Sequence, residues 1–441
     1  MQTQPSTGPD TQRLEHELDS FDPGVRTCAL RELIDQSKSQ WPNPKPIVNL
    51  HSHTFFSYNC YGYSPSRFAW LARARGLEVA GIVDFDVLDG LEEFLGAGRT
   101  LGLKTCVSIE SRVFVPEFAT RVINSPGEPG IAYNMGVGFT TANLTGWAKD
   151  YLANMRRRAE TRTRELLERV NSFLKEIPLG YEKEVLPLTP KGNATERHIC
   201  FAYERKAVVA FPDATKRTVF WKDKLGDAPT EGAKLQNLIR AKTMKKGGVG
   251  YVQPGKDSFP LMADMNRFTL EAGAIPTLAW LDGTSDGEQC MEELLQVAMK
   301  CGTAAFALVP DRNYTPGVKD KKLQNLYDTI ALAEKHQLPI HVGTEMNSPG
   351  NKFVDDFGTA ELKPLLPKIR TGGYIFYAHS VLQRQSGLGY LSAWARKNFA
   401  NVADKNQFFA DVGRILSPDR EDRLQGLAPD VGPDAVLTKV R

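Results

Sequence analysis

From residue 47 onward, short apolar runs alternate with longer amphipathic stretches: PIVNLH, SPSRFAWLARARGL, EVAGIVDFD, LDGLEEFLGAGRTLGL and KTCVSIES follow one another. Apolar runs of this length bounded by turn residues predict strands, and the stretches between them predict helices, so the rhythm is βαβαβ and implies a parallel sheet covered by helices. Ser64 and Ser66 can cap the first helix, and Asp84 to Asp89 lie in the loop that opens the second. The rhythm pauses after IAYNMGVGF. A long helix over 147–175 mixes charged and apolar positions, which predicts an edge helix with a solvated face. Residues 176–250 lack a β/α alternation and predict a largely helical insertion. The alternation returns with a helix at 258–273, the strand AIPTLAWLDG, a helix at 287–301, the strand TAAFALVPD, a helix at 319–337 and the strand LPIHVGTE.

Strands are thus predicted at 47–51, 79–84, 104–110, 131–137, 274–280, 303–309 and 338–345. Seven strands in this order predict an α/β fold, a distorted (β/α)7 TIM-like barrel with a helical insertion at about 147–250 and a C-terminal extension. The barrel spans 46–350. A polar N-terminal segment, 1–45, holds one possible helix (11–37) and ends in the Pro-rich WPNPKP; the extension, 351–441, holds GGYIFYAHS, a helix near 388–399 and NQFFADVG. Barrel active sites lie at the C-terminal ends of the strands, which gathers His51, His53, Asp84, Glu110, Asp282, Asp311 and Glu345 around one rim.

Composition narrows the choice of partners. Among 441 residues, 55 Lys and Arg face 52 Asp and Glu, a formal charge of +3, so nothing in the balance implies a nucleic-acid or membrane surface, and an anionic ligand must be met by a local site. Cys28, Cys60, Cys106, Cys200, Cys290 and Cys301 form no Cys-x-x-Cys pair, which argues against a zinc knuckle or a disulfide framework. No apolar run reaches the roughly eighteen residues a membrane span needs, and the polar start lacks the apolar core of a signal peptide, so a cytoplasmic location is expected. The sequence carries no signal of oligomeric state.

Candidate chemistry begins in NLHSHTFFSY, residues 49–58. Side chains two apart share a face of a strand, so His51 and His53 project together where the chain leaves it. Imidazole is the commonest protein ligand for divalent metals. On spacing alone, a metal site and a pair of histidines hydrogen-bonded to a loop are equally open.

The wider pattern resembles a family. NLHSHTFFSYNCYGYSPSRFAWLARARGLEVAGIVDFDVLDGLEEF closely resembles the opening of PHP (polymerase and histidinol phosphatase) domains, with His-x-His-Thr, Ser-Asp-Gly and Thr-Asp-His-Asp-Thr-x-Asp-Gly in turn. SIES resembles the family's Gly-x-Glu, YNMGVGF its His-x-x-Gly-x-Gly, TLAWLDG its Leu-Ala-His-Pro, and LPIHVGTEMNSPG its Gly-Ser-Asp-x-His-Gly. RRRAETRTRELLERVN and GNATERHICFA resemble the inserted helices of the nucleoside-phosphatase branch. The family holds three metals, and several of its ligand positions differ here: Tyr58, Phe85, Tyr133, Trp280 and Asn347 stand where its ligands would be. The resemblance implies that His51, His53, Glu110 and Glu345 form the one metal position left whole. Such a mixed nitrogen and oxygen set suits one divalent transition metal: Zn, Mn or Fe.

The remaining roles come partly from the resemblance and partly from position along the strands and the rim. Asp84 is expected to orient a ligand or water, or to cap a loop. His341 lies four residues before Glu345, roughly 13 Å down an ideal strand, and is expected to be a hydrogen-bonded barrel histidine. His198, Trp280, Asn347 and His379 are candidate substrate contacts, and for His198 and His379 simple packing is the alternative. The function implied is metal-dependent hydrolysis of a small phosphomonoester, with Asp84 or Asp282 as base and Arg112 or Arg312 clamping the anionic charge that further metals would otherwise meet; for both arginines a salt bridge with rim acids is the alternative. Two other classes stay open: an isomerase or lyase with one metal, acting on a carbohydrate-like substrate over a floor of Phe85 and Trp280, and a non-catalytic PHP-like binding protein.

Overall fold

The computed structural model describes residues 9–37, 41–227, 229, 231–255, 258–313 and 319–441. One sheet of seven strands runs in sequence order: β1 (Val48–Ser52), β2 (Val79–Phe85), β3 (Lys104–Phe114), β4 (Ile131–Val137), β5 (Ile275–Trp280), β6 (Ala305–Leu308) and β7 (Ile340–Val342). The first three strands are parallel, as are the last three. A bridge between Ser52 and Glu345, just beyond β7, brings the sheet nearly to closure as a barrel.

The regular alternation fails at β4. This strand runs antiparallel to both neighbours, paired from Ser108 with Val137 to Phe114 with Ile131 on one side and from Asn134 with Leu278 to Val137 with Ile275 on the other. A parallel return needs a long crossover, whereas an antiparallel return needs only turns. Residues 115–130 supply turns, with Pro116, Pro126, Gly127, Pro129 and Gly130. The barrel is therefore distorted by a β3–β4 hairpin rather than built from seven β/α units.

Local chemistry sets the helix ends that bear on the rim. The helix Pro65–Arg75 starts at Ser64, whose hydroxyl accepts from the Arg67 N–H, and stops at Gly76 with φ 76°. Ser66 does not cap it; its hydroxyl bonds Glu93 instead. The N-terminal segment forms two helices, Pro9–Glu17 and Pro23–Ser37, because the chain breaks ahead of Pro23, a favoured first helical residue. Both bury apolar residues, among them Leu14, Leu30 and Leu33, in the barrel's own core.

The insertion opens with the helix Gly146–Phe173 and continues through Glu196–Ala210, Ala214–Leu225 and Gly232–Ile239. It closes around a separate core that includes Leu167, Val170, Tyr203, Trp221 and Leu235. Asn193 ties it to the rim by donating to the carbonyls of Phe56 and Phe85 at 3.0 and 2.9 Å.

The extension supplies the other end of the barrel. The helix Leu366–Ser386 lies so close to the starts of the strands that a Cβ on Gly372 would stand 2.0 Å from the Ile340 carbonyl oxygen, while Gly373 faces Val79 and Val48. Its far face packs on the helix Val402–Ile415, where a Cβ on Gly413 would meet the Tyr374 carbonyl at 2.0 Å. Among the described residues no helix is long and apolar enough to cross a membrane.

Candidate metal centre

His51 occupies the end of β1, and His53 follows as the chain leaves it. Glu110 projects from β3, and the three side chains are buried with one ligand atom each lying within 4.8 Å of the others. The Nε2 atoms of His51 and His53 stand 3.7 and 3.3 Å from the same Glu110 carboxylate oxygen. Neither makes an aligned hydrogen bond to it, and both nitrogens of His51 and Nε2 of His53 are without hydrogen-bond partners. Burying such groups unpaired costs about 1–3 kcal/mol each. A cation among them would satisfy all three residues at once, so the donor set fits a divalent metal.

Charge at the cluster is already arranged without an ion. Burial pushes the Glu110 carboxyl up, but the close approach of His51 and His53 outweighs it and holds the group at about 2. Burial pushes His51 down, and Glu110 with Glu345 more than reverses this, so the imidazole is raised overall. A carboxylate facing two imidazoles is the electrostatic complement of a bound cation in the same place.

His53 is oriented by a buried chain. Its Nδ1 meets the Ser57 hydroxyl at 3.1 Å, and Ser57 donates to Asp84 at 2.6 Å. Thr54 adds its N–H and its hydroxyl to the same carboxylate at 2.9 and 2.7 Å. Asp84 thus acts through Ser57 and fixes which nitrogen of His53 faces Glu110, as buried carboxylates behind metal-binding histidines commonly do. The Phe85 ring packs over His53 with centroids 4.3 Å apart, filling with an apolar surface the place where the resemblance puts a further ligand.

Glu345 does not join the three-residue cluster. Its carboxylate lies 3.6 Å from the Arg312 guanidinium, while its backbone pairs with β1. The approach of this segment to β1 requires Gly343: a Cβ there would stand 2.3 Å from both the Asn49 side-chain oxygen and the His51 nitrogen. Backbone strain gathers at the same rim. Of five described non-glycine residues with positive φ, Tyr58, Asp86, Glu345 and Met346 lie here, and only Gln337 lies elsewhere. Such conformations cost of order 1–3 kcal/mol and persist where surroundings impose them, commonly at functional sites.

Arg112 follows Glu110 on β3, at the same parity. It bonds Glu128 at 2.9 Å and stacks over Phe259 at 4.3 Å, with Arg162 over the same ring at 4.7 Å. Around it the insertion contributes Arg240 and Lys245, both paired with Glu196 at 2.7 and 2.8 Å. Arg162, Arg240 and Lys245 were not legible as site residues, because the long helix reads as an edge helix with a solvated face and residues 176–250 read only as a largely helical insertion.

The other candidates disperse. Asp282 pairs with Lys322 at 2.8 Å and Thr284 at 2.6 Å; burial pushes its carboxyl up, and these partners bring it below its ordinary value. Asp311 has its side chain outside the described residues. His198 accepts from Thr195 at the start of its helix, 3.1 Å away, and its ring meets Tyr58 edge-on. Trp280 is buried with its indole N–H unpaired, and Asn347 is half-buried two residues beyond Glu345. His379 lies in the helix Leu366–Ser386, at the mouth opposite the rim, with its ring nitrogens on the Gly138 carbonyl at 3.2 Å and the Tyr390 N–H at 3.0 Å.

No family model and no curated protein matches the chain. Among solved structures, an amidohydrolase from Chromobacterium violaceum with bound sulfate and no metal aligns at 16% identity and a TM-score of 0.49, over 73% of this chain and 96% of that one. A protein provisionally described as a metal-dependent phosphoesterase, from Bifidobacterium adolescentis, aligns at 18% identity and a TM-score of 0.48, over 74% and 98%. Likeness at this level fixes neither substrate nor activity.

Proposed function

We propose that this chain is a PHP-like, metal-dependent phosphoesterase that hydrolyses a small phosphomonoester with one divalent transition metal. The observation that carries the reading is the convergence of His51, His53 and Glu110, buried and with His51 Nε2 and His53 Nε2 otherwise unpartnered. Zn, Mn or Fe held there would supply Lewis acidity to a substrate oxygen and to the attacking water.

The protein's own groups divide the remaining work. Ser57 and Asp84 hold the His53 ring. Glu110 sets the negative charge that retains the cation, and Glu345, on its turn beside β1, would complete the set by rotating away from Arg312. Arg112, anchored by Glu128 and Phe259, offers a guanidinium to the phosphate oxygens, a geometry suited to bidentate contact.

The test is a screen of nucleotides, sugar phosphates and unphosphorylated sugars with the protein loaded with Zn, Mn or Fe. Phosphate release that requires the metal supports the proposal. Turnover of an unphosphorylated sugar without phosphate release would replace it with an isomerase or lyase, and binding without turnover would replace it with a binding protein.

A further inference from the structure

His341 of β7 is completely buried, and its ring centroid lies 5.9 Å from that of His51. On its other side it meets Phe376 of the helix Leu366–Ser386 edge-on at 5.6 Å. Neither of its nitrogens makes a full hydrogen bond, and neither does either nitrogen of His51. The polar groups that act on His341 are the Leu50 backbone, His51 and Glu110. Two buried imidazoles side by side, with all four ring nitrogens short of a hydrogen bond, carry a desolvation cost that a leucine or phenylalanine at 341 would lessen. Packing alone therefore does not account for the residue.

The orientation of His51 supplies a reason. Its Nε2 faces Glu110, so binding a cation through Nε2 leaves the ring proton on Nδ1. That N–H needs an acceptor, and histidines that ligate metals almost always find one. His53 already has its counterpart in Ser57 and Asp84; no side chain within hydrogen-bond distance does the same for His51.

We propose that His341 is the positioning residue for His51: its neutral ring accepts the Nδ1–H of His51 when the site is loaded, and donates its own N–H to the Leu50 carbonyl. With ring centroids 5.9 Å apart, reorientation of either ring can bring a nitrogen of one within reach of a nitrogen of the other. The two ligand histidines are then held by different means, one through a hydroxyl to a carboxylate and the other by a second imidazole.

This inference rests on the metal reading of the site, and the experiment separates the two. Zinc affinity is measured by chelator competition for the wild type, His341→Gln and His341→Leu, and the zinc-loaded wild type, labelled with 15N histidine, is examined by NMR. Glutamine can accept from His51 and donate to Leu50, so it should stay near the wild-type affinity. Leucine should lose about 10–100-fold, the usual cost of removing such a partner. The spectrum should show His51 protonated at Nδ1 and hydrogen-bonded. A leucine variant that binds zinc like the wild type, or a His51 that binds zinc through Nδ1, overturns the role of His341 and leaves the metal reading standing. Failure of the wild type to bind zinc overturns both. If the leucine variant does not fold, the wild-type spectrum decides.

Discussion

The N–H of Glu345 donates to the carbonyl of His51 at 2.7 Å, and the carbonyl of Glu345 accepts the N–H of His53 at 2.8 Å. One residue thus grips the backbone on both sides of Ser52 and fixes the spacing of the two histidines. It does so at φ 64°, a left-handed conformation that costs a residue with a Cβ roughly 1–2 kcal/mol. Glycine keeps both backbone bonds without that cost. Glu345→Gly should therefore stabilise the metal-free protein by about 1 kcal/mol in urea unfolding, and should weaken zinc binding if the carboxylate swings from Arg312 to the ion. Unchanged affinity would remove Glu345 from the ligand set.

One equivalent of transition metal per chain is expected in protein purified without added metal, since the described residues form a single three-ligand cluster. Elemental analysis checks it, and two or three equivalents would show that further sites exist. His53→Ala should abolish the metal. His336→Ala should retain it, because His336 lies on a peripheral helix end 3.3 Å from Glu292.

Arg112→Ala should lower phosphomonoester turnover by about a hundredfold, the usual size of a lost charge-stabilising contact, while leaving metal content unchanged. Arg312→Ala should act less, and chiefly by freeing Glu345. Steady-state kinetics with parallel metal assays separates these effects, and equal small losses would place the anion elsewhere.

The Glu196 carboxyl links stability to pH. Burial pushes it up, but Lys245 and Arg240 outweigh burial and hold it at about 2, below its unfolded value near 4.3. A depressed carboxyl contributes its stabilisation in full above the unfolded value and loses it as pH falls through the folded one. Between pH 6 and pH 2 the wild type should lose on the order of 2 kcal/mol through this group. Glu196→Gln, less stable at pH 6 because two cations lose their partner, should show a shallower acid limb in urea titrations. An identical limb would mean the cluster is too hydrated to matter.

The strands and the pair of histidines could be read in the chain because both depend on local pattern. The direction of β4 could not, since an apolar run reads alike either way; the prolines and glycines at 116–130 were the available clue. GGYIFYAHS has no amphipathic period, because that helix is enclosed by strand ends on one face and by Val402–Ile415 on the other. Strand arithmetic separated His341 from Glu345 by assuming that β7 continues, whereas it ends at Val342 and the chain turns. Arg162 and Arg240 reach the rim only through the insertion's tertiary placement, which no spacing encodes.

The helix that seals the barrel opposite the histidines follows all seven strands along the chain, so it is synthesised after them. A ribosome releases β1 to β7 before Leu366–Ser386 exists, so the sheet emerges with Val48, Val79 and Ile340 open to water at one end. Those residues must wait for their cover. A premature stop codon between residues 350 and 366 would therefore leave every rim residue translated and yet deliver a molecule with a permanently exposed apolar opening, a substrate for chaperones and proteases rather than a shortened enzyme.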